Sequence, residues 1–369
     1  MTHKSDVLVV GAGPAGLATA IAASLKGFSV AVADSRKPPI EKACGEGLLP
    51  EAVANLRRLG IDLSLSAAFP FKGIRFSDDE SSASTRIKRG TAFGLRRISL
   101  HNLLVQRACE LGVTFLWGAR VSDFDSHGAR VNGAAFRCRW LVGADGQNSG
   151  VRKWASLNPR RPRLSRFGFS RHYAVTPWTD MVEVHWGPHC QLFATPTGAN
   201  EVCVALLSHN PQLRIEPALA YFPEVAARLR DALPLSAEIG SVTELGSAQA
   251  VARGRVALVG DASFTVDGIA GQGLSLAFEQ AAQLAEAFAR DDLSYYERAH
   301  RKISRTPRRM TRLLLLMDQS AWIRRKTLRL FARNPGLFSK MMSQHLGEAE
   351  QNDLRTSEIL GLGWQVLRA

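Results

Sequence analysis

Apolar positions along the chain follow three rhythms. The first is the short unbroken run. Residues 6–10 (Asp-Val-Leu-Val-Val), 28–33, 140–143 and 256–260 are apolar and end at or beside a glycine or an acid. Such runs predict strands buried on both faces, as in a parallel sheet. The second is helical spacing, over 17–25, 51–59, 96–109 and 274–282; Gly27 and Gly60 stand just past two of these stretches. The third is strict alternation, over 167–175, 181–186 and 201–207, which predicts a half-buried antiparallel sheet. Residues 73–76 and 85–88 read as edge strands about a polar turn, and 113–116 as a third inner strand after Gly112. From Leu293 to Ala369 the pattern is helical, with Pro335-Gly336 as a break.

Chemistry gathers where the unbroken runs end. Gly11-Ala12-Gly13-Pro14-Ala15-Gly16 joins the first strand to the first helix, and Asp34 ends the second strand. This is the dinucleotide fingerprint in its context of strand, glycine turn, helix, strand and acid. Gly11 makes the tight turn, Gly13 leaves room for a pyrophosphate, and Gly16 lets helix and strand approach. The helix N-terminus offers free N–H groups to phosphate, and Asp34 suits ribose hydroxyls. Two later turns are weaker alone. Asp145-Gly146 can cap a turn or bind a polyol. Gly260-Asp261 precedes a glycine loop, Gly271-Gln272-Gly273-Leu274, at a helix start. The loop at 42–50 holds Cys44, Gly45, Glu46 and Gly47, a place where backbone can approach a ring system. Cys44 itself reads equally as a small buried residue or as part of a site.

Composition narrows the picture. A chain of 369 residues, 46% hydrophobic and 22% charged, suits two domains or one large composite with a full core. The five scattered cysteines form no CxxC pair, which fits a reducing cytoplasm and argues against a disulfide framework or a zinc site. No run is long enough to span a bilayer, and the first apolar segment reads as a strand and not as a secretion signal. The net charge of +14 is concentrated between Arg298 and Arg333. No nucleic-acid module accompanies it, so nucleic acid is not an expected partner. The basic, amphipathic C-terminal segment packs on the protein or touches an anionic membrane.

The three turns in this order resemble the single-component FAD-dependent monooxygenases of the aromatic-hydroxylase type and the related geranylgeranyl reductases. The resemblance spans roughly residues 5–290, judged by the motif positions. It implies an α/β fold: a Rossmann-like FAD-binding domain of the glutathione-reductase type, an inserted mixed or antiparallel β-sheet substrate domain and a C-terminal helical segment. The expected division is 1–68 with 96–163 and 247–292 for FAD, 69–95 with 164–246 for substrate, and 293–369 for the helices. By resemblance the FAD site comprises Gly11, Gly13, Pro14, Ala15, Gly16, Asp34, Arg36, Cys44, Gly45, Arg97, Val121, Asp145, Gly146, Asp261, Gly271, Gln272, Gly273 and Leu274. Phe193, Thr195 and Pro196 are expected to face the flavin ring.

The resemblance implies FAD as cofactor and NAD(P)H as a transient donor, since no second glycine turn provides a nicotinamide domain. The expected activity is O2-dependent hydroxylation of an aromatic, phenolic or polyketide-like small molecule through a flavin C4a-hydroperoxide. Residues 43–48 look more like the reductase branch, whose alternative activity is reduction of isoprenoid or lipid C=C bonds; residues 147–152 look more like the hydroxylases. A non-catalytic flavin redox sensor is a further alternative. Cys44, Glu46, His172 and Tyr173 are the catalytic candidates, and no metal site is expected. Asp267 stands where the family usually has a proline after Gly-Asp. The Tyr-x-Trp-x-Phe-Pro segment of the reductases and the Trp-x-Trp-x-Ile-Pro signature of the halogenases are both missing.

Overall fold

A computed structural model describes residues 3–125, 128–157 and 165–347. Its first sheet is built from the unbroken apolar runs. The order is Val256–Leu258, Ala134–Gly143, His3–Val10, Val30–Asp34 and Thr114–Trp117, all parallel, with Ala252–Arg253 antiparallel at one edge. Strand Thr114–Trp117 therefore lies at the margin and not inside: it follows helix Arg97–Glu110 and adds outside Val30–Asp34. The short strands Val121–Asp125 and Gly128–Val131 fold back onto Ala134–Gly143.

Helix Pro14–Leu25 is apolar on nearly every side, and Pro14 and Gly16 through Ala23 are buried. That composition is required because the helix lies between the sheet and helix Gly273–Ala289, in one core with Leu17, Ile21, Phe278 and Leu284. Gly16 makes the fit possible: a Cβ there would stand 1.9 Å from the Gly11 carbonyl oxygen.

The alternating runs form the second sheet. Its central strands are Ser165–Ala174, Glu201–Ser208, Cys190–Gly198 and Met181–Gly187, antiparallel in that order. Gly73–Ser77 extends it in parallel with Met181–Gly187. A small three-stranded sheet, Gly47–Leu48, Ala92–Gly94 and Phe69–Phe71, joins the two layers. Gly94 is pressed onto strand Cys190–Gly198: a Cβ there would lie 1.7 Å from the Pro196 carbonyl oxygen.

Helices Arg305–Gln319, Ala321–Arg333 and Pro335–His345 close over the second sheet. Met310, Leu314, Met317, Leu328, Phe331 and Phe338 share a core with Phe76, Trp186, Ile269 and Leu276. Pro335 begins a new helix, as its fixed φ permits at a first turn. No helix among the described residues is long and apolar enough to cross a membrane.

Candidate functional site

The three glycine-and-aspartate turns meet at one helix end. A Cβ on Gly11 would lie 2.4 Å from the Ala144 carbonyl oxygen, and one on Gly260 would lie 2.7 Å from the Ala15 methyl. Residues 144–146 and 260–261 thus flank the N-terminus of helix Pro14–Leu25. The same helix end is open on its outer side, since a Cβ on Gly13 would meet nothing within 4 Å. Gly13 caps the helix with no side-chain hydrogen bond, so the first N–H groups remain for an anion.

The Ala12 peptide is fixed from both ends. Its N–H donates to Asp34 Oδ2 at 2.8 Å, and its carbonyl accepts from His101 Nε2 at 3.0 Å. Asp34 is nearly buried and also accepts the Arg36 N–H at 2.8 Å. Burial pushes the His101 imidazole below its usual value, and the nearby Arg97 guanidinium adds to this. His101 was not singled out in the sequence; its place on the buried side of helix Arg97–Glu110 was the one available signal. Val121 is buried in the core on the far side of the sheet, beside Ala119 and Val131, so its backbone alone is available to a ligand.

The second turn is half structural. Asp145 Oδ2 accepts the N–H groups of Gly150 and Val151 at 2.7 and 3.2 Å, capping helix Gly150–Trp154. Asp145 Oδ1 is buried with no hydrogen-bond partner. At the third turn, Gly260 N–H donates to Gln280 Oε1 at 2.6 Å, and Gln280 continues to His300. Asp261 is partly exposed and pairs with Lys42 at 3.1 Å, a contact that solvent screening keeps weak. A polar cavity of about 190 Å³ lies between these two turns, lined by Gln147, Arg152, Glu244, Asp261, Ser263 and Thr265.

The glycine loop beyond Asp261 is held from behind. Gln272 Nε2 donates to the His345 carbonyl at 2.8 Å, and the His345 ring is itself buried. Gly271 adopts the left-handed conformation at φ 62°, and the Cβ positions of Gly271 and Gly273 face open space. Gly45 is open in the same way. Leu274 is half-buried in the first turn of the helix.

The loop at 44–46 is docked on the second sheet by one cross-strand row. His172, Cys203 and Thr195 are register partners on three adjacent strands. His172 Nε2 lies 2.6 Å from Glu46 Oε2, the Cys203 thiol donates to the Cys44 carbonyl at 3.6 Å, and Thr195 Oγ1 donates to the Gly45 carbonyl at 2.7 Å. Ser170, two residues before His172, accepts the Cys44 N–H at 3.4 Å. Glu46 Oε1 also accepts the Arg97 N–H at 2.7 Å. His172 Nδ1 meets the half-buried Ser236 hydroxyl at 3.0 Å. Burial pushes the Cys203 thiol well above its usual range, so it is a neutral donor.

The sheet does not bring Tyr173 to this cluster. Successive residues on a strand face opposite sides, and Tyr173 packs with Ile215 and Val225 while its hydroxyl donates to Glu216 at 3.1 Å. Phe193 packs instead into the core that the C-terminal helices cover. Glu46, His172 and Cys203 bring ligand-type atoms within 4.8 Å of one another. The 2.6 Å Glu46–His172 contact has the length of a direct hydrogen bond.

FAD fits these residues: an open helix N-terminus with a bare glycine, a buried carboxylate oxygen without a partner at Asp145, and glycines at 45, 271 and 273 whose Cβ positions face open space. Comparison with known proteins agrees. A family model described as FAD binding domain matches residues 4–291. Menaquinone reductase of Mycobacterium tuberculosis is 28% identical over 324 residues, covering 79% of this chain and 78% of the relative. The 3-hydroxybenzoate 6-hydroxylase of Polaromonas naphthalenivorans is 29% identical over 322 residues, covering 76% and 78%. A flavoprotein/dehydrogenase from Cytophaga hutchinsonii superposes with a TM-score of 0.77 at 20% identity, over 93% of this chain and 92% of that one. With three turns converging on one helix end and a family match across that whole region, the chain belongs to the FAD binding domain family and is an FAD-dependent oxidoreductase.

Proposed function

We propose that the protein is an NAD(P)H- and O2-dependent hydroxylase of an aromatic, phenolic or polyketide-like small molecule. The observation that carries this reading is the buried pair Glu46–His172, set beside the open backbone of Gly45 and connected through Ser236 to half-exposed surface. FAD, when bound, supplies electron transfer from NAD(P)H and the activation of O2. The chain's own part is to exclude water and to manage the phenolic proton. The short contact puts a proton between His172 Nε2 and Glu46 Oε2; Nδ1 is then the acceptor for the Ser236 hydroxyl, a tautomer assigned from the bonding pattern. His172 then takes a substrate proton through Ser236: the hydroxyl passes its own proton to Nδ1 as it receives the substrate's, and the reverse exchange with water returns it to solvent. A hydroxylase of a phenolic acid among the relatives supports the same chemistry.

A second reading is reduction of isoprenoid or lipid C=C bonds. It draws on Cys44, half-buried with Sγ accepting the Glu46 N–H at 3.3 Å beside the open Gly45, and on the menaquinone reductase relative. A non-catalytic sensor is set aside, because the relatives that match over most of the chain carry enzyme names.

Oxygen uptake separates the two enzyme readings. Hydroxylation predicts NAD(P)H oxidation that needs O2 and rises when phenols are added. In that assay His172→Asn lowers kcat by about 100-fold or more, the usual worth of a positioned acid–base group. Anaerobic reoxidation of the reduced protein by an alkene, with no response to phenols, would establish the reductase instead.

A further inference from the structure

The C-terminal helices have an inner face and an outer face with different tasks. On helix Arg305–Gln319 the inner residues Met310, Leu314 and Met317 are buried in the core behind the glycine loop. The exposed residues Arg305, Arg309, Arg312 and Leu316 recur at intervals of four, three and four, so they form a single outer stripe. No carboxylate among the described residues pairs with these three arginines, although most arginines on the two neighbouring helices are paired: Arg298, Arg301, Arg324, Arg325 and Arg329 all meet acids. The stripe ends on Leu316, 51% exposed, and the first turn of the next helix carries Trp322, 52% exposed, under Lys326 Nζ at 4.7 Å from its ring centroid.

We propose that this outer face, from Arg305 to Leu316 and Trp322, is a docking surface for an anionic lipid bilayer. Folding does not explain it, because the core contacts of both helices are satisfied on the opposite side. An isolated exposed tryptophan is ordinary. A tryptophan and a leucine at the end of a line of unpaired arginines are the arrangement a membrane interface selects: guanidinium groups meet phosphates, and the ring and leucine enter the acyl boundary. The chain's net charge of +14 makes the attraction long-ranged at low salt. A polynucleotide would use the arginines and leave Leu316 without a role. The surface lies directly behind the loop that carries Ile269 and Ala270, so docking would bring the flavin site close to lipid-dissolved substrates.

Sedimentation of the full FAD-loaded chain with vesicles tests this directly. Equimolar phosphatidylglycerol and phosphatidylcholine vesicles are expected to carry the protein down, pure phosphatidylcholine vesicles to leave it in solution, and added salt to release it. Replacing Arg305, Arg309 and Arg312 by Gln is expected to weaken binding on the order of 100-fold. Leu316→Ser with Trp322→Ser is expected to weaken it more than tenfold, with FAD content and melting temperature unchanged in both variants. Equal sedimentation with both vesicle types, binding unaffected by either variant, or binding to duplex DNA without binding to vesicles would overturn the proposal. None of these readouts depends on the reaction catalysed.

Discussion

At the residue scale, two glycines of the first turn have separable tasks. Gly16 serves the fold, because a Cβ there collides with the Gly11 carbonyl. Gly13 serves the ligand: its φ of −70° suits any residue, and its Cβ position is empty. Gly16→Ala is therefore expected to cost about 1–3 kcal/mol or more in urea denaturation of the apoprotein. Gly13→Ala is expected to leave that stability within about 1 kcal/mol while weakening FAD binding at least tenfold, since the methyl takes the space of the pyrophosphate. Much at this scale was legible, because glycine spacing states a steric requirement directly. The pairing of Glu46 with His172 was not legible: 126 residues separate them, and it takes strand register to put His172, Cys203 and Thr195 in one row. The same register explains why Tyr173, adjacent in sequence, faces away.

At the element scale, a buried polar knot joins the C-terminal helices to the second sheet beside the apolar core they share with it. Arg166, wholly buried on strand Ser165–Ala174, bonds Asp318 and Gln191, and His209 approaches Asp318 at 2.7 Å. Its Nε lies 3.8 Å from Asp267, whose carboxyl burial raises above the usual range. Asp267 caps the short turn Gly268–Ala270, so the knot reaches the loop that leads to Gly271. Breaking such a pair strands a charge in the core. Asp318→Ala is expected to destabilise the protein by about 3–5 kcal/mol in chemical denaturation, and Asp318→Asn by less. The sequence showed Asp267 as a departure from the family's proline and showed arginine-flanked helices. It could not show that Arg166 and Asp318, 152 residues apart, neutralise each other. The alternating strands and the glycine-ended runs were legible because each carries its period in a few residues. The place of strand Thr114–Trp117 at the sheet edge was not, because strand order is set by the helix that precedes it.

At the scale of the whole molecule, two buried histidines tie stability to pH. Burial pushes His300 down to about 3 and His345 down to about 4. Both are neutral in the folded state, and His300 is in hydrogen-bond contact with Gln280 and Ser263. The unfolded chain titrates near 6.5, so below that pH it binds protons that the fold refuses. Stability is therefore full above about pH 6.5 and falls as the pH drops towards about 4, by on the order of 3 kcal/mol for His345. Urea denaturation at a series of pH values checks this, and His345→Asn is expected to make the decline shallower. Because the His345 backbone carbonyl anchors Gln272 in the glycine loop, loosening of this helix in the same acid window is expected to release bound flavin. FAD is expected to occupy the point where residues 11–16, 144–146 and 260–261 meet. Titration of the apoprotein with FAD, followed by flavin absorbance and fluorescence, measures that most directly. One equivalent of FAD bound tightly by the wild type, and markedly less tightly by Gly13→Ala, is the predicted result; a folded apoprotein that takes up no FAD, or a Gly13→Ala variant that binds it equally well, would contradict it.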